Sequence, residues 1–134
     1  MLTKDDIESF LVRLAATGAT YSEVEPGFWI VRPSPDSDLS VAVNYAPPVL
    51  LLRVDVMTLP ADTARTATLT RRLLELNASD LLHGSYGIQD SQIVLTEALE
   101  LSALDFEEFL ASYESMTLAL ASHLRELGSY REAR

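Results

Sequence analysis

Apolar positions near the start of the chain recur at helical spacing. One group repeats every three or four residues: Ile7, Phe10, Leu11 and Leu14. This is the spacing of a single buried helix face. Thr3 precedes the group and Asp6 follows Thr3 by three residues, which is the arrangement of an N-terminal capping box. The pattern therefore predicts a helix over residues 4–17, ended by Gly18.

The next part of the chain is typical of strands separated by turns. Strand patterns occur in four segments: 21–25, 28–32, 39–45 and 49–57. Proline-containing turns lie between them: Pro26-Gly27, residues 33–38 and Pro47-Pro48. The last segment is the most hydrophobic, and its alternation gives two faces. One face carries Leu50, Leu52, Val54 and Val56, and the other carries Val49, Leu51, Arg53, Asp55 and Met57.

The rest of the chain adds two helices and two strands. Its predicted elements are a helix from Pro60 to Asn77, strands 81–88 and 92–101, and a helix from Asp105 to Gly128. Tight turns between alternating strands favour an antiparallel sheet with helices on one side. We expect an α+β fold, an antiparallel sheet of about five strands with three helices, in the order α-β-β-β-α-β-β-α. One domain, residues 1–134, accounts for the length, with a frayed tail at 129–134.

Charge and composition narrow the classes of function. The chain has 20 acidic and 10 basic residues, a formal net charge of −10 and a pI near 4.5. Such a surface repels phosphate, which argues against direct binding to nucleic acid or anionic membranes and favours a basic protein partner. Cysteine is absent, which excludes disulfides, thiolate nucleophiles and cysteine-rich metal sites. The polar N-terminus and short apolar runs lead us to expect a soluble, cytoplasmic protein.

Catalytic and metal-binding patterns are weak. His83 and His123 lie far apart in the sequence, and neither has metal ligands in register on its own element, so we expect no metal and no cofactor. Ser79, Asp80 and His83 are too close along the chain to converge as a triad. The stretch 84–87 has the pattern Gly-x-x-Gly, and its small residues are expected to let another backbone or ring approach closely.

Glu97 is the one carboxylate with an unusual position. It shares strand parity with the apolar residues Leu95 and Leu99, so it points toward the core unless a β-bulge turns it outward. A bulge is the interpretation that we favour. An enzyme using carboxylate chemistry at Glu97 or Asp55 remains a further hypothesis.

Apolar residues on the sheet exceed the needs of one covered face. Val49, Leu51 and Met57 point away from the row that begins at Leu50, and Phe28 and Ile30 alternate with the equally apolar Trp29 and Val31. A strand that is apolar on both faces is normally covered on both. The second cover is expected to be another subunit or a bound segment, the alternative being the chain's own loops.

Several motifs together resemble a known family. They are the stretches 73–77 (Leu-Leu-Glu-Leu-Asn), 84–88 (Gly-Ser-Tyr-Gly-Ile) and 93–95 (Ile-Val-Leu), and the segment leading into Leu104-Asp105. In these stretches and in element order the chain resembles the YbjN-like proteins. That family is similar in fold to the class I, or Tir-type, chaperones of type III secretion.

The resemblance implies a non-enzymatic homodimer that binds another polypeptide. In the secretion chaperones an extended partner segment lies along hydrophobic patches made by the sheet and helix 1. By position, the binding surface would include the flank of helix 1 and Phe28, Ile30, Val41, Val43 and Leu51. Together with the surplus apolar residues, the predicted partner or dimer surface is Phe28, Ile30, Val41, Val43, Val49, Leu51 and Met57.

The sequence therefore predicts a chaperone-like adaptor without catalytic residues. Its partner is expected to be a protein engaged through an extended segment, and a basic or nucleic-acid-binding protein is one candidate. Two other hypotheses stay open. One is a small-ligand sensory or regulatory domain, with a polar pocket between sheet and helices. The other is a true secretion chaperone for an exported effector, although nothing in the sequence shows a secretion context.

Overall fold

A computed structural model of the chain describes residues 1–131. It contains three helices and six strands, with four strands before the second helix where the predicted order has three. They are α1 (Lys4–Ala15), β1 (Thr20–Glu25), β2 (Phe28–Arg32), β3 (Val41–Ala46), β4 (Val49–Thr58), α2 (Thr63–Ser79), β5 (Ser85–Gln89), β6 (Gln92–Glu100) and α3 (Phe106–Gly128). The α+β class is confirmed, and the strand count is one above the expected five or so.

The strands form one antiparallel sheet in the order β1-β2-β3-β4-β6-β5. Strands that follow one another along the chain pair as hairpins, except where α2 separates β4 from β5. The strand β6 therefore returns to pair with β4, and β5 lies at the sheet edge. The central strands β4 and β6 are the longest, with 10 and 9 residues.

Local capping explains where the helices begin. At α1 the Thr3 hydroxyl accepts the Asp6 backbone N–H and the Asp6 carboxylate accepts the Thr3 N–H, at 3.2 and 2.8 Å. The predicted capping box is therefore present, and these hydrogen bonds lower the pKa of Asp6. The Asp105 carboxylate likewise accepts the Glu108 N–H at the start of α3. Helix α2 begins after Asp62, later than the predicted Pro60.

One hydrophobic core joins the three helices to a single face of the sheet. Each helix contributes an apolar stripe: Ile7, Leu11 and Leu14 from α1, Leu69, Leu73 and Leu76 from α2, and Phe109, Met116 and Leu120 from α3. The covered sheet face supplies buried Trp29, Val43, Leu52 and Leu95. All three helices are thus used to cover the same side of the sheet.

A bulge in β4 changes the face of one predicted surface residue. The register with β6 shifts between Asp55 and Met57, so strict alternation is lost there. Met57 pairs with buried Ile93 and is itself buried in the core. Its prediction as an outward-facing residue was wrong because the sequence pattern does not reveal the extra residue.

The chain end is only partly within the described region. Tyr130 packs against the core after the end of α3, so this part of the expected frayed tail 129–134 is held by side-chain contact. Residues 132–134 lie outside the described residues. No helix within residues 1–131 is both long enough and apolar enough to cross a membrane.

Candidate functional site

The second face of the sheet carries no helix from residues 1–131 and forms the candidate site. We call it the open face. The strand registers align its side chains into two rows across β2, β3, β4 and β6: Phe28, Asn44, Leu51 and Ala98 in one, and Ile30, Ala42, Arg53 and Thr96 in the other. Leu51, at the centre of the open face, is 38% exposed. The open face therefore presents apolar side chains beside polar ones.

The open face contains two adjoining grooves. The larger has a volume of about 430 Å³ and runs from Phe28 past Leu51 to Ala98. The second, of about 370 Å³, lies beside Ile30 and Asp55 and shares Phe28 with the first. Because the grooves also share Ala42 and Arg53, they form one trough, whose lining comes from five strands, β2 to β6.

Arg53 is held in place at the middle of this trough. Its Nε donates to the Asp55 carboxylate at 2.9 Å, and its Nη1 donates to the Gln89 side-chain oxygen. The second contact joins β4 to β5 across the intervening β6. A guanidinium with two fixed partners has lost much of its rotamer freedom, so it presents its remaining N–H groups at a defined place.

The structure brings together some of the predicted surface residues and separates others. The open face carries Phe28, Ile30 and Leu51. Val49 lies on the same face, at the N-terminal end of β4. The prediction that Val41 and Val43 lie on the partner surface is wrong, as it was for Met57. They pair with Val31 and Trp29 on the helix-covered face and are buried in the core.

Sequence analysis missed other residues that line the trough. Ala42, Asn44 and Ala98 carry little hydrophobic signal individually, and they belong to the site only because cross-strand pairing places them beside Phe28 and Leu51. The available signal was strand parity, since Leu51 and Arg53 were already assigned to the outer face of β4.

A third groove lies at the end of β6 and is acidic. It has a volume of about 300 Å³, and its lining includes His83, Glu97, Glu100 and Glu108 but no lysine or arginine. The expected bulge at Glu97 is absent. Glu97 stays in register opposite Leu52, and its carboxylate accepts the Gly84 backbone N–H. The carboxylate is thereby satisfied at a partly buried sheet edge, which was the less favoured interpretation.

A separate apolar patch lies where α2 meets the edge strand β5. Leu74 and Ile88 are 68% and 50% exposed, and they flank a groove of about 240 Å³ whose lining includes Leu73 and Gly87. We call this the α2–β5 patch. Two exposed large aliphatic side chains beside a sheet edge are a costly arrangement for an isolated chain.

Tyr86, behind the α2–β5 patch, belongs to a partly buried hydrogen-bond network. Its hydroxyl lies 2.7 Å from Nδ1 of His123, whose Nε2 lies 3.0 Å from the Asp80 carboxylate. Burial, with the negative charges of Asp80 and Glu126, raises the pKa of Tyr86. The tyrosine is therefore neutral and hydrogen-bonded. The network connects β5, α3 and the C-terminal end of α2.

The sequence triad Ser79, Asp80 and His83 is not assembled. The Ser79 hydroxyl donates to the Glu75 carbonyl of its own helix, and Asp80 pairs with His123 rather than His83. Within residues 1–131, no group of three or more histidine and acidic side chains could hold a metal ion.

The fold of this chain, a sheet with helices on one face, is similar to that of solved structures from type III secretion. One similar structure is the heterodimeric ExoU-SpcU complex from the type III secretion system of Pseudomonas aeruginosa, with a TM-score of 0.62 at 14% identity. That alignment covers 83% of this chain and 88% of the other chain. The ExsC-ExsE complex gives a TM-score of 0.57 at 16% identity, covering 95% and 97%. YbjN from E. coli gives 0.64 at 15% identity, covering 93% of both chains.

The chain belongs to the CesT_Tir_1 family, whose model matches residues 2–133. The resemblance to YbjN-like and secretion-chaperone-like proteins is thus confirmed. Two of these structural neighbours, ExoU-SpcU and ExsC-ExsE, are complexes with another protein. No match to a curated protein sequence was found.

Proposed function

We propose that this protein is a non-enzymatic, chaperone-like adaptor that binds an extended segment of a partner protein on its open face. The observation that carries the proposal is the trough formed by the two adjoining grooves, which Phe28 and Leu51 line. An extended segment offers alternate side chains to such grooves and backbone groups to polar residues such as Arg53. No catalytic step is assigned to any residue.

The position of the grooves also separates this function from the small-ligand hypothesis. A sensory domain was expected to hold its ligand between sheet and helices, whereas the trough lies on the outer side of the sheet.

We also propose that the protein is a homodimer and that the α2–β5 patch is its dimer surface. This patch lies on the helix side of the edge strand β5, where Ile88 pairs with buried Ile93, whereas the trough lies on the open face, so both surfaces can be occupied together. The partner segment is proposed to be basic, because a net charge of −10 attracts positive charge. Binding to an exported effector is the narrower form of the same function.

The substitution Leu51→Glu tests the open face. It places a charge in the centre of the trough without touching the core, since Leu51 is already part-exposed. Losing burial of one leucine and desolvating a carboxylate should weaken partner binding about tenfold or more. The measurement is affinity capture from the native host with parent and variant proteins, followed by calorimetry with the purified partner.

The matched control is Leu118→Glu, the same change at a leucine that is 70% exposed on α3 in the helix layer. This variant should capture the same partner with unchanged affinity. If the Leu51→Glu variant binds that partner as tightly as the parent does, the open face is not the binding surface.

A further inference from the structure

The trough on the open face continues into the acidic groove at the end of β6. The larger groove of the trough and the acidic groove have Glu97 and Ala98 in common. A chain that follows the trough past Leu51 and Ala98 therefore reaches Glu100 of the acidic groove next. Glu97 and Glu108 of the same groove lie toward the helix layer, at the edge of β6. The two grooves differ in chemistry, since the first is mainly apolar and the second is lined by three carboxylates.

The strand pairing leaves room for a chain at this place. The edge strand β5 pairs with β6 only as far as Thr96, which lies opposite Ser85. Beyond Thr96, residues 97–100 of β6 pair with β4 on one side and have no strand of the described chain on the other. Glu100 lies two residues after Ala98 on the same face, about 7 Å further along the strand.

The carboxylates of the acidic groove are not neutralised by neighbours. Within residues 1–131, none of Glu97, Glu100 and Glu108 takes part in an ion pair, whereas Arg53 at the middle of the trough is paired with Asp55. The trough therefore has a polarity: its middle is close to charge balance and its β6 end is negative. A bound segment meets that negative end with only some of its residues.

We propose that the segment bound on the open face places apolar side chains in the groove between Phe28 and Leu51 and a lysine or arginine, a few residues along, in the acidic groove. This inference rests on the proposed function and adds the chemistry and the orientation of the partner. Extended backbone advances about 3.3 Å per residue, so about two residues of a bound segment span the step from Ala98 to Glu100.

The experiment is a selection from a random library of 12-residue peptides displayed on phage. The library is selected against the parent protein, against the double variant E100Q/E108Q, and against the control D5N/E114Q. The control removes the same two charges from exposed positions on α1 and α3. The parent should enrich peptides with an apolar pair and a basic residue consistently on one side of it. Against E100Q/E108Q the basic preference should disappear while the apolar preference remains.

An enriched peptide then gives the size of the effect. Exposed ion pairs are weak individually, so losing two should weaken binding by roughly three- to tenfold at low salt. The parent's own affinity should fall as salt is raised, which tests the charge contribution without any substitution. Thermal unfolding of each variant shows whether it is folded.

The outcomes separate the inference from the function on which it rests. Apolar enrichment without a basic preference, or a basic preference that survives in E100Q/E108Q, overturns the inference and leaves the open face as the binding surface. Failure to enrich any peptide whose binding depends on Leu51 overturns the proposed function itself. Loss of the basic preference in D5N/E114Q would assign it to net charge, which also overturns the inference.

Discussion

At the scale of single residues, Gly84 shows why a glycine is needed at the start of β5. Its φ of +83° lies in the region that other residues rarely adopt. A Cβ added there would lie 3.2 Å from both the Met116 side chain and the Thr96 carbonyl oxygen. The expectation that small residues here allow close approach is confirmed for Gly84. Gly87 has nothing within 4 Å of such a Cβ.

The substitution Gly84→Ala should therefore lower the free energy of unfolding by about 1–3 kcal/mol, from backbone strain and local overpacking. Gly87→Ala, three residues further along and within β5, is the matched control. It should be neutral or stabilising, by up to about 1 kcal/mol, because alanine loses less entropy than glycine on folding. Urea unfolding measures both, and equal stability of the two variants would contradict the account of Gly84.

At the scale of elements, the sequence pattern predicted the kind and order of helices and strands but not all of their ends. Helix α2 continues past Asn77, its expected C-cap, to Ser79. The Asn77 side chain instead accepts the Tyr86 backbone N–H at 2.7 Å and donates to the Tyr86 carbonyl at 3.1 Å. Periodicity within α2 carries no signal for a contact with a strand nine residues later.

The Asn77 side chain thus makes the hydrogen bonds to the Tyr86 backbone that a neighbouring strand would make at this sheet edge. Asn77→Ala removes two hydrogen bonds and leaves two backbone groups of Tyr86 without them, so it should lower stability by about 1–3 kcal/mol. It should also speed hydrogen exchange in β5 before the rest of the sheet. Thr70→Ala is the control, since the Thr70 hydroxyl bonds only within α2. Unchanged β5 exchange in Asn77→Ala would refute this role.

At the scale of the whole molecule, strand parity indicated two apolar faces without revealing which one the helices cover. Val43 and Phe28 are equally plausible surface residues in the sequence, yet register places Val43 beside Trp29 under the helices and Phe28 on the open face. That choice depends on which helix stripes meet which strands, a contact between distant parts of the chain. The apolar excess was predictable, whereas its division between core and site was not.

The proposed homodimer is tested at the same scale. Leu74→Glu, in the exposed centre of the α2–β5 patch, should shift the protein from dimer to monomer at micromolar concentration, because it would bury a charge in an apolar interface. Leu118→Glu should leave the dimer unchanged. Sedimentation velocity measures both. A parent protein that sediments as a monomer at these concentrations would remove the dimer from the proposal.

A sheet with all of its helices on one side has a consequence for how such a protein can diverge. If the open face is the recognition surface, as proposed, substitutions there change what is recognised and leave the packing beneath Trp29 and Leu52 intact. Recognition and folding are then under nearly separate selection, because each draws on the opposite side of the same strands. New binding preferences can arise in this architecture with little loss of stability.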